Sequence, residues 1–199
     1  MKQSNAALRL ILASGSPRRR ELLAKMGYDF EICVPDVDEH VSGHARDIVA
    51  ILSQRKARAA AVHYTEGTVI ASDTLVSYQG TPLGKPENET DAARMLKMLS
   101  GNTHEVFTGV TLLDAASGRR MTRVVRTGVT FRSLSDAEIA AYIATGEPMD
   151  KAGAYGIQGG AGRFVVKLDG SFENVMGFPV DDIRDMLINF TDETQREAT

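Results

Sequence analysis

The chain has 199 residues, of which 43% are hydrophobic, and 23 basic against 26 acidic side chains give a formal net charge of −3. This apolar fraction is sufficient for a core and argues against intrinsic disorder, and the length predicts one domain over 1–199 with an ordered core of about 8–190. The single cysteine excludes an intramolecular disulfide and is typical of a reducing cytoplasm. The acidic balance argues against nucleic-acid or membrane-surface binding but leaves a local pocket for a small anion open.

Hydrophobic periodicity predicts strands and helices that alternate along the chain. In the first half these are a strand over 8–13, a helix over 17–26, a strand over 28–34, a helix over 46–63 and a short buried strand over 68–72. In the second half they are a helix over 91–99, two long strands over 104–114 and 119–132, a helix over 135–146, a strand over 164–168 and a helix over 181–190. The polar segment 191–199 is expected to fray. This pattern, with one long antiparallel hairpin, indicates an α/β protein with a mixed sheet.

The predicted strand-to-helix turn at 14–20 (SGSPRRR) has the features of an anion site. Ser16 suits the N-cap and Pro17 the first helical position, so free backbone N–H groups of the helix would face the loop. Arg18 and Arg19 add forked donors that match phosphate oxygens. A capped helix with solvent-exposed arginines is the alternative, and the segment lacks the Gly-Lys-Ser/Thr ending of a Walker loop.

Carboxylates follow two of the predicted strands. Asp38 lies in the acidic segment 36–39 (DVDE), where oxygen ligands suit a hard cation such as Mg²⁺, although a solvated acidic turn explains the same pattern. Asp73 directly follows the buried run 68–72, at a strand end where α/β proteins place their ligands. There it suits a proton acceptor or a metal ligand, with the capping of a turn as the alternative.

Two lysines and a glycine-rich segment complete the polar candidates. Lys56 lies on the long predicted helix 46–63 and is either a site residue or part of the solvent-exposed face of that helix. Lys85 lies between a glycine and a proline in a predicted loop. Residues 153–162 hold five of the 18 glycines, so the backbone must turn sharply or approach another group closely. Gln158 in this segment offers an amide donor and acceptor for a base or sugar edge, whereas a mobile surface loop is the alternative.

These segments, in this order, resemble the Maf family of nucleoside triphosphate pyrophosphatases. Each motif is short, but their ordered occurrence from about 10 to 190 is specific. The matching segments are LILASGSPRRRELL (10–23), VDEH (37–40), VIASDTLVS (69–77), GKP (84–86), LSGNTHEVFTGV (99–110), DKAGAYGIQG (150–159) and GSFENVMGFPV (170–180). Ser72 departs from the alanine that many relatives have before the aspartate.

The resemblance implies a mixed curved sheet with flanking helices, in two lobes around a central cleft, as in inosine triphosphatase-like proteins. It implies that Asp73 is the proton acceptor, with Lys56 and Lys85 as further catalytic residues. It assigns Asp38 to a divalent metal, Mg²⁺ or Mn²⁺. The substrate-binding residues that it implies are Ser16, Arg18, Arg19, Thr74 and Gln158.

The segment DKAGAYGIQG resembles the branch of the family that acts on dTTP and UTP. The implied reaction hydrolyses these nucleotides to the nucleoside monophosphate and pyrophosphate, with modified pyrimidine nucleotides as further candidate substrates. A 7-methyl-GTP pyrophosphatase of the sister branch and a non-catalytic, nucleotide-sensing regulator of septum formation remain alternatives. We expect a cytoplasmic protein with a small nucleotide substrate and no nucleic-acid or membrane partner, and a homodimer remains open.

Overall fold

The computed structural model describes residues 8–197, with side chains described as far as Thr191. Seven strands belong to one sheet. They are β1 (Leu10–Leu12), β2 (Phe30–Ile32), β3 (Thr68–Tyr78), β4 (Thr81–Leu83), β5 (Thr103–Asp114), β6 (Arg120–Phe131) and β7 (Val165–Asp169). The helices are α1 (Pro17–Lys25), α2 (Ala45–Ala61), α3 (Glu89–Leu99), α4 (Asp136–Ile143), α5 (Phe172–Val175) and α6 (Val180–Glu197), with short 3-10 helices at Glu147–Asp150, Ala152–Ala154 and Gly160–Phe164.

The sheet is mixed, with strand order β2-β1-β3-β5-β6-β7 and β4 paired to β3. β1 is parallel to both β2 and β3, whereas β3, β5, β6 and β7 form antiparallel pairs. The prediction of an α/β protein with a mixed sheet and flanking helices is therefore confirmed. None of the helices that the structure describes combines the length and the apolar character needed to cross a membrane.

Alternate residues of the central strands pack against helices on opposite faces of the sheet. In β1, Leu10 and Leu12 join the larger apolar cluster, which includes residues of α1, α3, α4 and α6. Ile11 points the other way and packs in a smaller cluster with Ala57 and Ala60 of α2. This alternation is the two-residue period of a strand that is buried on both faces.

Two strands differ from the sequence-based prediction. β3 does not end at Ser72 but continues through Tyr78, because residues 72–77 pair with β5 and 76–78 pair with β4. Asp73 therefore lies inside a long strand rather than after a short one. β4 was not predicted at all. It follows a two-residue turn in which Gln79 and Gly80 both have positive φ, as a tight hairpin requires.

The helix ends also differ from the prediction. α6 is helical through Glu197 and thus extends beyond the predicted helix end at 190; residues 198–199 lie outside the described part. Ser16 does stand at the N-cap of α1 with Pro17 following, but within the described residues its hydroxyl makes no capping hydrogen bond. Its backbone N–H instead donates to Ser14 Oγ at 3.1 Å.

Candidate active site

A cleft of about 990 Å³ lies beyond the C-terminal end of β1. β1 ends at Leu12, opposite Ile70, so the next residues of β3 lack a neighbouring strand on that side and face the loop that leads into α1. A strand end beside a helix start is a usual ligand position in α/β proteins. The polar and charged side chains that line the cleft are Ser14, Ser16, Arg18, Arg19, Glu39, Lys56, Asp73, Thr74, Lys85, Glu147, Asp150, Lys151, Tyr155 and Gln158.

Lys56 joins two carboxylates at the centre of this cleft. Its Nζ donates to Asp73 Oδ1 at 2.6 Å and contacts Glu39 Oε1 at 2.7 Å. The side chains of Lys56 and Asp73 are 13% and 12% exposed, so this ion pair is largely withdrawn from solvent. The hydrogen bond from Lys56 lowers the pKa of Glu39, which favours its ionised form. One cation between two carboxylates leaves this cluster with a net negative charge.

Arg19 is held in place by contacts to the protein itself. Its Nε donates to the carbonyl oxygen of Gly177 at 3.1 Å, and Nη1 donates to that of Ser72 at 2.7 Å. Nη2 lies 3.4 Å from Thr74 Oγ1. Burial lowers the pKa of Arg19, while the nearby Asp73 carboxylate acts in the opposite direction. Arg19 therefore supplies a fixed positive charge beside Asp73 and ties α1 to β3.

The remaining predicted residues line the same cleft with fewer protein contacts. Within the part of the chain that the structure describes, the side chains of Arg18, Lys85 and Gln158 form no hydrogen bond or ion pair, so their donors are available to a ligand. Thr74 Oγ1 lies 3.0 Å from Thr108 Oγ1 and presents one edge of its side chain to the cleft. The structure thus brings together every predicted site residue except Asp38.

Asp38 lies outside the cleft, which does not support its assignment as a metal ligand. Its side chain is 69% exposed, and its Oδ1 accepts hydrogen bonds from the backbone N–H of His40 at 2.9 Å and contacts His40 Nδ1 at 2.7 Å. The backbone hydrogen bond from His40 is the main reason that the pKa of Asp38 is lowered. The acidic residue that faces the cleft is the next one, Glu39. Sequence reasoning noted Glu39 within the acidic segment but did not select it.

The carboxylate oxygens around Lys56 can supply only part of the coordination of a divalent cation. Within the described residues, no group of three or more His, Cys, Asp or Glu side chains is arranged to hold a metal ion. Asp73 and Glu39 nevertheless each use one oxygen toward Lys56 and keep a second carboxylate oxygen. Two carboxylates suit Mg²⁺, which commonly shares its coordination between one or two protein carboxylates, water and substrate phosphates. The carboxylates of Asp73 and Glu39 therefore suit a cation whose other ligands are water and the phosphates of a bound triphosphate.

Comparison with known proteins agrees with this geometry. The family model described as "Maf-like protein" matches residues 9–190. Proteins named dTTP/UTP pyrophosphatase are 47% identical in Moorella thermoacetica over 92% of this chain and 95% of the relative, and 44% identical in Desulforamulus reducens over 91% and 96%. A protein of the same name in Bdellovibrio bacteriovorus is 44% identical over 91% of this chain and 98% of its own. The chain belongs to the Maf family.

Proposed function

We propose that this protein hydrolyses dTTP and UTP to the nucleoside monophosphate and pyrophosphate. The observation that carries the proposal is the largely buried Lys56–Asp73 ion pair, which lies with Arg18, Arg19 and Lys85 in one cleft. This arrangement suits a densely charged substrate that must be cleaved by water. The names of relatives that are 44–47% identical over most of the chain support the same substrates.

The cationic side chains bind and orient the triphosphate. Phosphoryl transfer depends mainly on positioning and on neutralising charge that spreads over the phosphate oxygens. Arg18 and Lys85, whose donors are available in the described structure, contact those oxygens directly. Arg19 contributes a fixed charge because its guanidinium is already anchored to Gly177 and Ser72. Neutralisation of the β- and γ-phosphates makes pyrophosphate a better leaving group.

Asp73 accepts the proton of the attacking water. A carboxylate within hydrogen-bond reach of a water can act as a general base, an effect worth about 10²- to 10⁴-fold in rate. Lys56 donates to one oxygen of Asp73, so the second oxygen keeps two lone-pair sites, one for the attacking water and one for the cation proposed below. Lys56 also keeps the carboxylate in a fixed orientation, because its own side chain lies between Asp73 and Glu39.

We also propose that a divalent cation, Mg²⁺ or Mn²⁺, is bound with the substrate by Glu39 and Asp73. Their two carboxylates lie on either side of Lys56, and each retains an oxygen that Lys56 does not contact. Such a cation supplies neutralisation of phosphate charge and a Lewis acid at the phosphoryl oxygens. Asp38, with its carboxylate turned to His40 at the surface, is not part of this pair.

Gln158 would select the base, and the family resemblance associates Thr74 with the same choice of substrate. Gln158 is exposed in the cleft and carries both a donor and an acceptor, which matches the alternating carbonyl and N–H groups on a pyrimidine edge. Arg18 is the third residue for which the family resemblance suggests a role in substrate choice. Its place beside Arg19 on the first turn of α1 supports a contact with the triphosphate.

A nucleotide panel tests the proposal. Purified protein with Mg²⁺ or Mn²⁺ is incubated separately with dTTP, UTP, CTP, dGTP and 7-methyl-GTP, and pyrophosphate release is measured. Release from dTTP and UTP in preference to the other nucleotides supports the proposal. Turnover of 7-methyl-GTP alone would assign the protein to the sister branch. Tight pyrimidine nucleotide binding without any turnover would favour a nucleotide-sensing regulator and would refute the enzyme.

We further propose that the chain is a single domain that acts in the cytoplasm. Support for one domain comes from the continuous sheet and from the family match over 9–190. Support for the compartment comes from the single cysteine and from a substrate drawn from the nucleotide pool. Light scattering after gel filtration, with and without UTP, decides between a monomer and a homodimer.

A further inference from the structure

Two backbone N–H groups on either side of Gln158 are bound by side chains from outside their loop. We call residues 156–160 the Gln158 loop. The N–H of Gly156 donates to Tyr142 Oη at 3.0 Å, and the N–H of Gly160 donates to Glu147 Oε2 at 3.0 Å. Both ends of the loop that carries Gln158 are therefore fixed by specific acceptors.

These two acceptors are joined to each other. Tyr142 Oη donates to Glu147 Oε1 at 2.9 Å, so the hydroxyl accepts from Gly156 while it donates to Glu147. Tyr142 lies on α4 and is 1% exposed, and Glu147 begins the 3-10 helix that follows. Both oxygens of the Glu147 carboxylate are thereby occupied, one by Tyr142 and one by Gly160.

The loop contacts this carboxylate so closely that a Cβ at Gly156 or Gly159 would overlap with it in its present position. A Cβ on Gly159 would lie 2.0 Å from Glu147 Oε1 and 2.4 Å from its Cδ. A Cβ on Gly156 would lie 2.9 Å from Glu147 Oε1 and 2.8 Å from Lys151 Cε. A side chain at either glycine would therefore displace the ends of the Glu147 or Lys151 side chains, and with them the hydrogen bonds that the Glu147 carboxylate makes to the loop.

Glu147 is itself anchored. Lys151 Nζ donates to the backbone carbonyl of Glu147 at 2.9 Å and to Asp150 Oδ1 at 2.6 Å. The Lys151 side chain is 13% exposed and its bond to the Glu147 carbonyl is partly buried, whereas Asp150 is 74% exposed and its bond faces solvent. The Gln158 side chain, by contrast, has no partner among the described residues and depends on the loop backbone for its position.

We propose that Tyr142 and Glu147 are positioning residues, which hold the Gln158 loop so that the Gln158 amide meets the pyrimidine base of the substrate. This inference rests on the proposed function, because it assumes that Gln158 contacts the base. Glu147 lines the cleft, but both of its carboxylate oxygens and the Tyr142 hydroxyl already take part in this network. Their effect on the reaction passes through the loop.

The isosteric variant Tyr142→Phe tests the proposal, with Tyr78→Phe as the control for loss of a tyrosine hydroxyl elsewhere. Tyr142→Phe removes the acceptor for Gly156 and the donor to Glu147 but keeps the buried ring. We expect the ratio of kcat/KM for UTP to that for CTP to fall about 10-fold, chiefly through a higher KM for UTP. Glu147→Gln, which keeps one acceptor for Gly160, is expected to lower the ratio in the same direction.

A double-mutant cycle with Gln158→Ala separates positioning from general destabilisation. If the pair acts through Gln158, Tyr142→Phe has no further effect on the UTP/CTP ratio once Gln158 is absent. An equal fall of the ratio in both backgrounds would overturn the proposal. An unchanged ratio in the single variant, with only a lower thermal midpoint, would overturn it as well.

Hydrogen exchange of the backbone amides gives a readout without activity. We expect the amides of Gly156 and Gly160 to exchange at least about 10-fold faster in Tyr142→Phe or Glu147→Gln than in the parent and the Tyr78→Phe control. Unchanged exchange rates of the Gly156 and Gly160 amides in these variants would refute the claim that Tyr142 and Glu147 fix the loop. Should the parent hydrolyse no pyrimidine nucleotide, the proposed function fails and so does the link to the base, while faster exchange would still establish that the two residues fix the loop.

Discussion

Gly109 lies directly opposite Asp73 in the antiparallel pair of β3 and β5. Residues at such a position project on the same face of a sheet, and here that face is covered by α2. A Cβ on Gly109 would lie 2.2 Å from the carbonyl oxygen of Val49 and 2.5 Å from its carbonyl carbon. The missing side chain therefore lets α2 approach the strand that carries Asp73, and Lys56 on the same helix reaches the carboxylate.

Gly109→Ala is predicted to disturb both stability and catalysis. The added methyl group must displace the backbone of α2, since no flexible side chain can move out of its way. Overpacking of this kind costs about 1–3 kcal/mol in the free energy of unfolding. We also expect kcat for UTP to fall by more than about 10-fold, because a misplaced Lys56 no longer orients Asp73. Chemical denaturation and steady-state kinetics measure the two effects.

Gly128→Ala is the matched control in a neighbouring strand. A Cβ on Gly128 would meet its nearest atom, Asp169 Cβ, at 3.4 Å, which is ordinary contact. We expect this variant to stay within about 1 kcal/mol of the parent and to keep its kcat. Equal effects of the two substitutions, or a stable and fully active Gly109→Ala protein, would contradict the role assigned to Gly109.

Glu39 and Asp38 form a second matched pair, adjacent in sequence but different in placement. If Glu39 helps to bind the divalent cation, Glu39→Gln raises the Mn²⁺ concentration needed for half-maximal activity by about 10-fold or more. Asp38→Asn keeps the acceptor for His40 at the surface, so its midpoint stays close to that of the parent. Mn²⁺ titrations, followed by activity and by electron paramagnetic resonance with UTP bound, measure the midpoint. A larger rise of the Mn²⁺ midpoint in Asp38→Asn than in Glu39→Gln would indicate that Asp38 binds the cation.

Arg18 is predicted to bind the triphosphate through donors that no described residue uses. Arg18→Ala is therefore expected to raise KM for UTP about 10-fold, which corresponds to the loss of one charged hydrogen bond, and to leave the thermal midpoint nearly unchanged. Arg20, exposed on the same helix and outside the cleft, provides the control substitution Arg20→Ala. Similar KM values for the two variants would contradict the prediction that Arg18 binds the triphosphate.

His104 is a buried titratable group that links β5 to the loop segment beside the cleft. It is 1% exposed, its Nε2 lies 2.8 Å from Tyr155 Oη, and its ring packs edge-on against Phe131. Burial lowers the pKa of His104 from 6.5 to about 4. The folded protein therefore holds His104 neutral at a pH at which the unfolded chain already protonates it.

The sign of the resulting pH dependence is fixed by that difference. Between about pH 6.5 and 4 the unfolded chain binds more protons than the folded chain. The contribution of His104 to the free energy of unfolding is therefore fully present above this window and is lost as the pH falls through it. Between pH 7 and 5 the loss is about 2 kcal/mol for this one group. His104→Gln should reduce the fall in the free energy of unfolding over that range. An identical fall in parent and variant would show that other groups control it.

Much of the fold follows from sequence because most elements bury one regular face. The apolar run that contains Leu10, Ile11 and Leu12 predicts a buried strand, and in the structure Leu10 and Leu12 contact one layer while Ile11 contacts the other. The length of β3 does not follow, because Asp73 interrupts the apolar run and its pairing with Gly109 is a long-range contact. The turn at Gln79 and Gly80 gave only a weak signal, because Gly80 suits a positive φ but Gln79 is not one of the residues that favour it.

The composition of the cleft was predictable, but its internal contacts were not. Lys56 and Asp73 are 17 positions apart, and only the packing of α2 on β3 and β5 shows that they touch. Asp38 and Glu39 are neighbours outside any regular element, so no periodicity indicates which of them faces the cleft. The anchoring of Arg19 by carbonyl groups of Ser72 and Gly177 likewise depends on segments distant in sequence.

The central claim is that this cleft cleaves the α–β anhydride of UTP with Asp73 as the proton acceptor. The most direct test is chromatographic analysis of the products that the parent and the isosteric Asp73→Asn variant form from UTP and Mg²⁺. We predict UMP and pyrophosphate in equal amounts from the parent, and a rate at least about 100-fold lower from the variant at a nearly unchanged thermal midpoint. UDP and orthophosphate as products, or a variant as fast as the parent, would contradict the account.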